Sequence, residues 1–201
     1  MDGSAAPFVL MIADAGIQLQ DRVQRVLKVT KPIFVRDGSK QLAIWPTERP
    51  SISYLIDFDH PLLREQSRNY HFSEENFIRD ISAARTFGFL SDVRMLQANG
   101  LAKGGSLENA IILGPDRVLN EEGLRYPDEF VRHKILDILG DLSLVGMPVV
   151  GHVVAHKAGH GLNAAMVNKL MESPMHWVVA GEPERTAPRR EYAVFQERAA
   201  M

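Results

Sequence analysis

The sequence contains no cysteine in its 201 residues, which excludes a disulfide framework and any metal site with thiolate ligands. A bound metal ion would need histidine, aspartate or glutamate ligands. No apolar run reaches the about 18 residues of a transmembrane helix, and the apolar stretch 5–17 has no basic leader before it. We therefore predict no transmembrane segment and no secretory signal, and we expect a cytoplasmic protein.

The chain also lacks an excess of charge of either sign. Its 23 Lys and Arg against 25 Asp and Glu give a net charge of −2, which offers no basic surface for nucleic acid. Hydrophobic residues make up 45% of the sequence, enough for an ordinary globular core. This length and composition predict one or two globular domains without a nucleic-acid partner.

The most informative stretch, residues 128–141, has the pattern of an amphipathic helix. His133, Asp137 and Asp141 follow at four-residue steps and form one stripe, with Lys134 beside it. We expect this stripe to lie away from the core, because the opposite arc carries apolar side chains. These are Val131, Ile135, Ile138, Leu139, Leu142 and Val145.

An imidazole and a carboxylate one helical turn apart can bind the same divalent metal ion. His133 and Asp137 are therefore candidate ligands, and a third ligand would come from elsewhere, since catalytic zinc usually has three. On spacing alone, however, a His and an Asp four residues apart on an exposed helix face are more often a solvated polar pair than metal ligands.

A second histidine cluster lies in residues 151–163. The pattern predicts a strand at Met147–His156 and a helix at Leu162–Glu172, so that His160 falls in a turn between two glycines. Glycines on both sides let the backbone bring the ring close to a ligand. The alternative is a helix-capping or loop histidine without chemistry.

The remaining patterns predict an α+β fold with an inserted βαβ element at about residues 87–113. Ser73 is a good N-cap for a helix that we expect to continue to about Thr86. The other predicted helices are 7–15, ending at Gly16, and 93–99, and the other predicted strands are 33–36, 42–45, 51–58 and 110–113.

Five ordered segments closely resemble the family of UDP-3-O-acyl-N-acetylglucosamine deacetylases, the zinc hydrolases of lipid A biosynthesis. Taken together in this order, the five are far more specific than any one of them. They are residues 1–5 (MDGSA), 84–89 (ARTFGF), 104–110 (GGSLENA), 124–134 (LRYPDEFVRHK) and 157–160 (KAGH).

The resemblance implies two α+β domains packed face to face, with the active site between them. Residues 1–22 would be the terminal helix of an incomplete first domain, 23–185 the second α/β sandwich domain, and 186–201 a tail. The family's adjacent Glu and His, a general base and the remaining zinc ligand, lie upstream of the first segment, and no residue here matches them. We therefore expect Met1 to be an internal methionine, the chain to be N-terminally truncated, and the missing first domain to be its partner.

The resemblance also implies the catalytic residues and the cofactor, zinc (Zn2+). His133 and Asp137 would bind the zinc ion, and Thr86 would donate a hydrogen bond to the reaction's oxyanion. His160 would stabilise the oxyanion and protonate the leaving amine, and Asp141 would hold the His160 ring. Without the resemblance, Thr86 is a helix C-terminal threonine bonding its own backbone and Asp141 a surface carboxylate.

The substrate implied by the resemblance is a UDP-linked N-acetylglucosamine with a 3-O-acyl chain. Phe58 matches an aromatic residue that contacts the uracil, and Lys134 matches a lysine that contacts the nucleotide-sugar. From the sequence alone, Lys134 is a solvated lysine and the predicted acyl-passage residues are core residues. The predicted acyl passage is lined by Phe89, Val93, Leu107 and Ile112.

Two functions of different classes follow. The first is a hydrolase that removes the N-acetyl group of this substrate with zinc-activated water. The second is a catalytically incomplete fragment that retains only nucleotide-sugar or acyl binding. A third and weaker interpretation, an unrelated zinc hydrolase, predicts peptide or amide substrates without a nucleotide.

Overall fold

The computed structural model describes residues 2–100 and 104–181, and the predicted tail 186–201 lies outside these ranges. Within them the chain forms five α-helices and ten β-strands. The helices are α1 (Ala6–Ala15), α2 (Glu74–Asn76), α3 (Leu90–Ala98), α4 (Glu129–Leu142) and α5 (His160–Met171).

The strands form one large and two small sheets. They are β1 (Val26–Val29), β2 (Ile33–Asp37), β3 (Lys40–Trp45), β4 (Ser51–Ile56), β5 (Gln66–His71), β6 (Phe87–Phe89), β7 (Ile111–Leu113), β8 (Val149–Val150), β9 (His152–His156) and β10 (Trp177–Ala180). The large sheet has the order β2-β3-β9-β4-β5, in which only β9 and β4 are parallel. The small sheets are β10-β1-β8 and the parallel pair β6-β7.

Helices α4 and α5 pack against each other and against one face of the large sheet. Strand β4 shows why, because its alternation buries Ile52, Tyr54 and Ile56 toward the helices. The predicted apolar arc of α4 supplies the other side of this core, with Val131, Ile135, Ile138 and Leu142 buried. The predicted mixed class of helices and sheets is confirmed.

The predicted strand Met147–His156 is wrong, because the chain changes sheets inside it. β8 pairs with β1, whereas β9 lies between β3 and β4. The break is at Gly151, where a Cβ atom would lie 2.5 Å from Ile44 Cγ2. Only glycine permits this close approach, so the strand bends where the pattern of β-branched residues suggested continuity.

The predicted helix from Ser73 to Thr86 ends earlier than expected. Ser73 caps it as predicted, accepting a hydrogen bond from the Asn76 N–H at 3.1 Å. A π-helical turn, Phe77–Ile81, then closes the helix. The Ala84 N–H still bonds to the Ile81 carbonyl, but the Arg85 and Thr86 N–H groups bond to Glu129 and to Gly3, which are distant in sequence, so the helix does not continue to Thr86.

Strand β6, helix α3 and strand β7 form a strand–helix–strand unit with parallel strands. Helix α1 has no buried residue. In the part of the chain described, no helix has both the length and the hydropathy that crossing a bilayer would require. The domain boundaries expected from the resemblance remain predictions.

Candidate active site

Helix α4 presents His133 and Asp137 side by side, one turn apart. His133 Nε2 lies 3.1 Å from Asp137 Oδ1, and His133 Nδ1 lies 3.1 Å from the Ala84 carbonyl oxygen. A carbonyl oxygen only accepts, so His133 Nδ1–H is the donor and Nε2 faces the carboxylate. A backbone carbonyl behind the imidazole is the usual support of a metal-binding histidine, since it fixes the ring orientation.

The alternative of a solvated polar pair on an exposed helix face is wrong. The His133 residue is only 8% exposed, since the segment 84–87 lies over it. The Phe87 ring centroid is 6.3 Å from that of His133. The two groups therefore sit in a covered site rather than on a solvated surface, which the helical pattern could not reveal.

The Asp137 carboxyl is ionised in this site. Burial raises the pKa of the Asp137 carboxyl, but hydrogen bonds and charge from His133 and Lys134 outweigh burial and hold that pKa well below its usual value. Lys134 Nζ donates to Asp137 Oδ2 at 2.7 Å. Below the pair, burial raises the pKa of the Tyr54 hydroxyl, and the charges of Asp137 and Asp141 add to this effect.

His160 approaches the same carboxylate from α5. Its Nδ1–H donates to Asp141 Oδ2 at 2.8 Å, and its Nε2 lies 3.8 Å from Asp137 Oδ2. Asn163 also donates to Asp141 Oδ2, at 2.8 Å. Asp141 is therefore not an unpaired surface carboxylate, and it orients an imidazole whose side chain is 68% exposed. Such an imidazole is accessible for proton transfer.

Aromatic residues border this polar group. The ring centroids of Phe58 and Phe87 are 5.9 Å apart, and those of Phe58 and Phe89 are also 5.9 Å apart. Lys134 Nζ lies 5.4 Å from the Phe87 ring centroid. The structure thus brings the three predicted substrate residues Phe58, Phe89 and Lys134 into one continuous cluster with the His133–Asp137 pair.

Thr86 lies in the extended segment between Ala84 and Phe87, the two residues that contact His133. Its N–H donates to the Gly3 carbonyl at 2.9 Å. Within residues 2–100 and 104–181 its hydroxyl has no hydrogen-bond partner, so the alternative of a helix C-terminal threonine bonding its own backbone is wrong. The hydroxyl remains available to another acceptor.

The other predicted acyl-passage residues do not belong to the buried core. Val93 and Ile112 are half-buried and Leu107 is exposed, whereas Ile111 and Leu113 beside Ile112 are buried. The alternation in β7 thus places Ile112 on the opposite face from the core. Phe89 packs against the core edge.

Several site residues did not emerge from the sequence. The role of the Ala84 carbonyl cannot be read from the residue type, because every residue has a backbone carbonyl. Phe87 and Lys157 lie inside the segments of the resemblance and could have been found there. Lys157 has a positive φ of 53° and its Nζ pairs with Asp57 at 2.7 Å, which anchors the loop before α5. Asn163 follows His160 by three residues, a spacing that would have indicated a shared helix face.

The donor set suits a zinc ion, because zinc binds imidazole nitrogen and carboxylate oxygen readily. His133 and Asp137 are two such ligands. No group of three or more metal-ligating side chains occurs among the residues that the structure describes. Two candidate metal ligands beside an aspartate-oriented histidine form an arrangement that a metal-dependent hydrolase can use.

The family model of UDP-3-O-acyl N-acetylglycosamine deacetylase matches residues 1–172, and the chain therefore belongs to this family.

Curated relatives extend this finding, and all three below are named UDP-3-O-acyl-N-acetylglucosamine deacetylase. The protein of Syntrophus aciditrophicus (strain SB) is 51% identical over 180 residues, or 90% of this chain and 57% of the relative. That of Geobacter sp. (strain M21) is 52% identical over 174 residues, or 87% and 57%. That of Teredinibacter turnerae (strain ATCC 39867 / T7901) is 45% identical over 191 residues, or 94% and 63%. The chain thus spans little more than half the length of these relatives.

Proposed function

We propose that this chain supplies the metal-binding and proton-transfer residues of a deacetylase that removes the N-acetyl group of UDP-3-O-acyl-N-acetylglucosamine in lipid A biosynthesis. The single observation that supports this most is the His133–Asp137 pair, with its nitrogen and oxygen 3.1 Å apart and the imidazole braced by a carbonyl. Membership of the family and the names of the relatives support the proposed substrate class. A cytoplasmic location and a first domain as partner remain predictions.

His133 Nε2 and Asp137 would hold the zinc ion, with further ligands from outside the described residues. When bound, zinc supplies Lewis-acid polarisation of the acetamide carbonyl and lowers the pKa of a bound water toward neutrality. The low pKa of the Asp137 carboxyl keeps this ligand ionised throughout the physiological range. Lys134 donates to the same carboxylate and would also contact the substrate.

His160 is the proton donor of the proposed reaction. Asp141 accepts from His160 Nδ1–H, so the proton to be transferred sits on Nε2, which points to the Asp137 side of the site. As an imidazolium, His160 would stabilise a developing oxyanion before giving its proton to the leaving amine.

Substrate contacts follow the polar and apolar sides of the cluster. The Thr86 hydroxyl, which has no partner in the described part of the chain, would donate a hydrogen bond to the oxyanion. Lys134 and Phe58 would contact the nucleotide-sugar and its uracil, while the half-buried and exposed apolar residues of the strand–helix–strand unit would line the acyl passage. These are Phe89, Val93, Leu107 and Ile112.

The alternative of a non-catalytic binding fragment has one observation in its favour. Catalytic zinc usually has three protein ligands, and the described residues contain no group of three. In that case the chain would bind the nucleotide-sugar through the Lys134 and Phe58 side of the cluster. It would then release no acetate from the UDP-linked substrate.

Zinc binding by the purified chain tests the proposal. We expect His133→Ala and Asp137→Asn each to weaken zinc at least about tenfold in a chelator competition, because each removes a ligand. His71→Ala is the matched control, since His71 is exposed on β5 and we expect it to leave zinc binding unchanged.

Equal zinc affinity in all four proteins would refute the assignment of the pair as ligands. Acetate release from the UDP-linked substrate separates the two candidate functions. Zinc binding without acetate release favours the binding fragment, and acetate release that depends on His160 favours the hydrolase.

A further inference from the structure

A buried carboxylate that the proposed chemistry does not use lies at the start of α4. Glu129 is 0% exposed, and its two oxygens accept four hydrogen bonds. The donors are the Arg85 N–H at 3.0 Å, Arg85 Nε and Nη2 at 2.9 and 3.3 Å, and the Arg125 N–H at 2.6 Å. A buried charge is stable only when it is paired and hydrogen-bonded, so this group is held rigidly.

One peptide group connects this carboxylate to the candidate metal ligand. The Arg85 N–H donates to Glu129, and the carbonyl of the same peptide, that of Ala84, accepts from His133 Nδ1–H. In a planar trans peptide the N–H and C=O point in opposite directions and cannot rotate independently. The Ala84–Arg85 peptide therefore bridges two side chains of α4 that are one turn apart.

From this bridge we infer that Glu129 is a positioning residue for His133. By fixing the plane of the Ala84–Arg85 peptide, Glu129 sets the direction of the Ala84 carbonyl, which sets the rotation of the imidazole and aims Nε2 at Asp137. The part of the inference that concerns metal affinity rests on the proposed function. The orientation of the His133 ring does not.

Arg85 offers a matched control on its other side. Glu122 also pairs with the Arg85 guanidinium, with Nη1 to Oε1 at 2.6 Å, but Glu122 is exposed and does not bond the Ala84–Arg85 peptide. Loss of the Glu122 charge removes one ion pair of the same arginine and leaves the bridge intact. A change at the His133 ring that occurs in the Glu129 variants and not in Glu122→Gln is thus not explained by the loss of an ion pair with Arg85.

The experiment compares Glu129→Gln, Glu129→Asp and Glu122→Gln with the unchanged chain. In the metal-free protein, the hydrogen-bonded His133 Nδ1–H gives a slowly exchanging ¹H–¹⁵N signal, which we expect to broaden or disappear in both Glu129 variants. We expect zinc affinity, from chelator competition, to fall about tenfold or more in both, as when other supports of metal-binding histidines are lost. Glu122→Gln is expected to change neither readout.

Glu129→Asp keeps the charge beside Arg85 while withdrawing the oxygens by one methylene, so it decides the question if Glu129→Gln does not fold. A folded Glu129 variant with an unchanged His133 signal would overturn the inference, and so would an equal response in Glu122→Gln. If the unchanged chain binds no zinc but the His133 signal responds as expected, the proposed metal pair fails and the positioning role stands.

Discussion

At Gly3 the backbone takes a left-handed conformation that leaves no room for a side chain. Its φ is +78°, and a Cβ atom would lie 2.1 Å from the Asn109 carbonyl oxygen and 3.2 Å from Thr86 Cγ2. The Gly3 carbonyl meanwhile accepts from the Thr86 N–H. This glycine thus allows the N-terminal segment to pack tightly against the extended segment that carries Thr86.

We expect Gly3→Ala to lower the free energy of unfolding by about 2 kcal/mol or more, because alanine there combines an unfavourable φ with a backbone clash. Chemical denaturation measures this change. Gly140→Ala is the control: Gly140 lies exposed in α4 with nothing near its Cβ position, and alanine there should stabilise by about 0.5–1 kcal/mol. Equal stability of the Gly3 variant and the unchanged chain would contradict the close packing.

At the scale of elements, ion pairs fasten the N-terminus of α4 to the sheet. Asp128 accepts from Arg132 Nε at 2.6 Å and from Arg68 Nη1 of β5 at 2.7 Å. Burial raises the pKa of the Asp128 carboxyl, but the hydrogen bonds and charges of the two arginines outweigh burial and lower it. The helix that carries the candidate metal ligands is thereby held in register with β5.

Because the pKa of the Asp128 carboxyl is lowered, the stability that its ion pairs contribute depends on pH. A carboxyl whose folded pKa is depressed stabilises the protein above its unfolded value, here 3.8, and loses that contribution as pH falls through the folded pKa. We expect Asp128→Asn to cost about 1 kcal/mol at pH 7, the magnitude of a partly exposed pair. Urea denaturation between pH 7 and pH 2 should show this difference shrink below about pH 4. A difference that stays constant over that range would show that the charge is not the cause.

At the scale of the whole molecule, α1 exposes an apolar surface. Phe8, Leu10, Met11 and Ile12 are between 47% and 64% exposed. Monomeric proteins rarely expose contiguous apolar patches of this kind without a partner surface. The described chain therefore carries a hydrophobic helix that contributes little to its own core.

We expect this helix to drive association as concentration rises. Leu10→Lys with Ile12→Lys should lower the association measured by analytical ultracentrifugation, because charged side chains replace apolar area that contact would bury. The free energy of unfolding should change little, since α1 has no buried residue. Met175→Lys, at an exposed methionine outside α1, is expected to leave association unchanged. The same association in the α1 variant and the unchanged chain would argue against this role.

Local regularity explains which parts of this fold could be predicted. The apolar arc of α4 and the hairpin of β2 and β3 depend on short-range periodicity, and both are present in the structure. The sheet change at Gly151 depends on the closeness of Ile44, and the extended path at Arg85 depends on Glu129; both partners are distant in sequence. Long-range contacts of this kind leave no periodic signal.

The sequence by itself determined the helical stripe of His133, Asp137 and Asp141, the absence of thiolate ligands, and, through five ordered segments, the family. Only the tertiary structure decided that this stripe is covered, that His160 reaches it from α5, and that a backbone carbonyl braces His133. The physical reason is that helix spacing fixes directions around one axis. What meets a side chain there depends on residues tens of positions away, and their backbone groups carry no mark in the sequence.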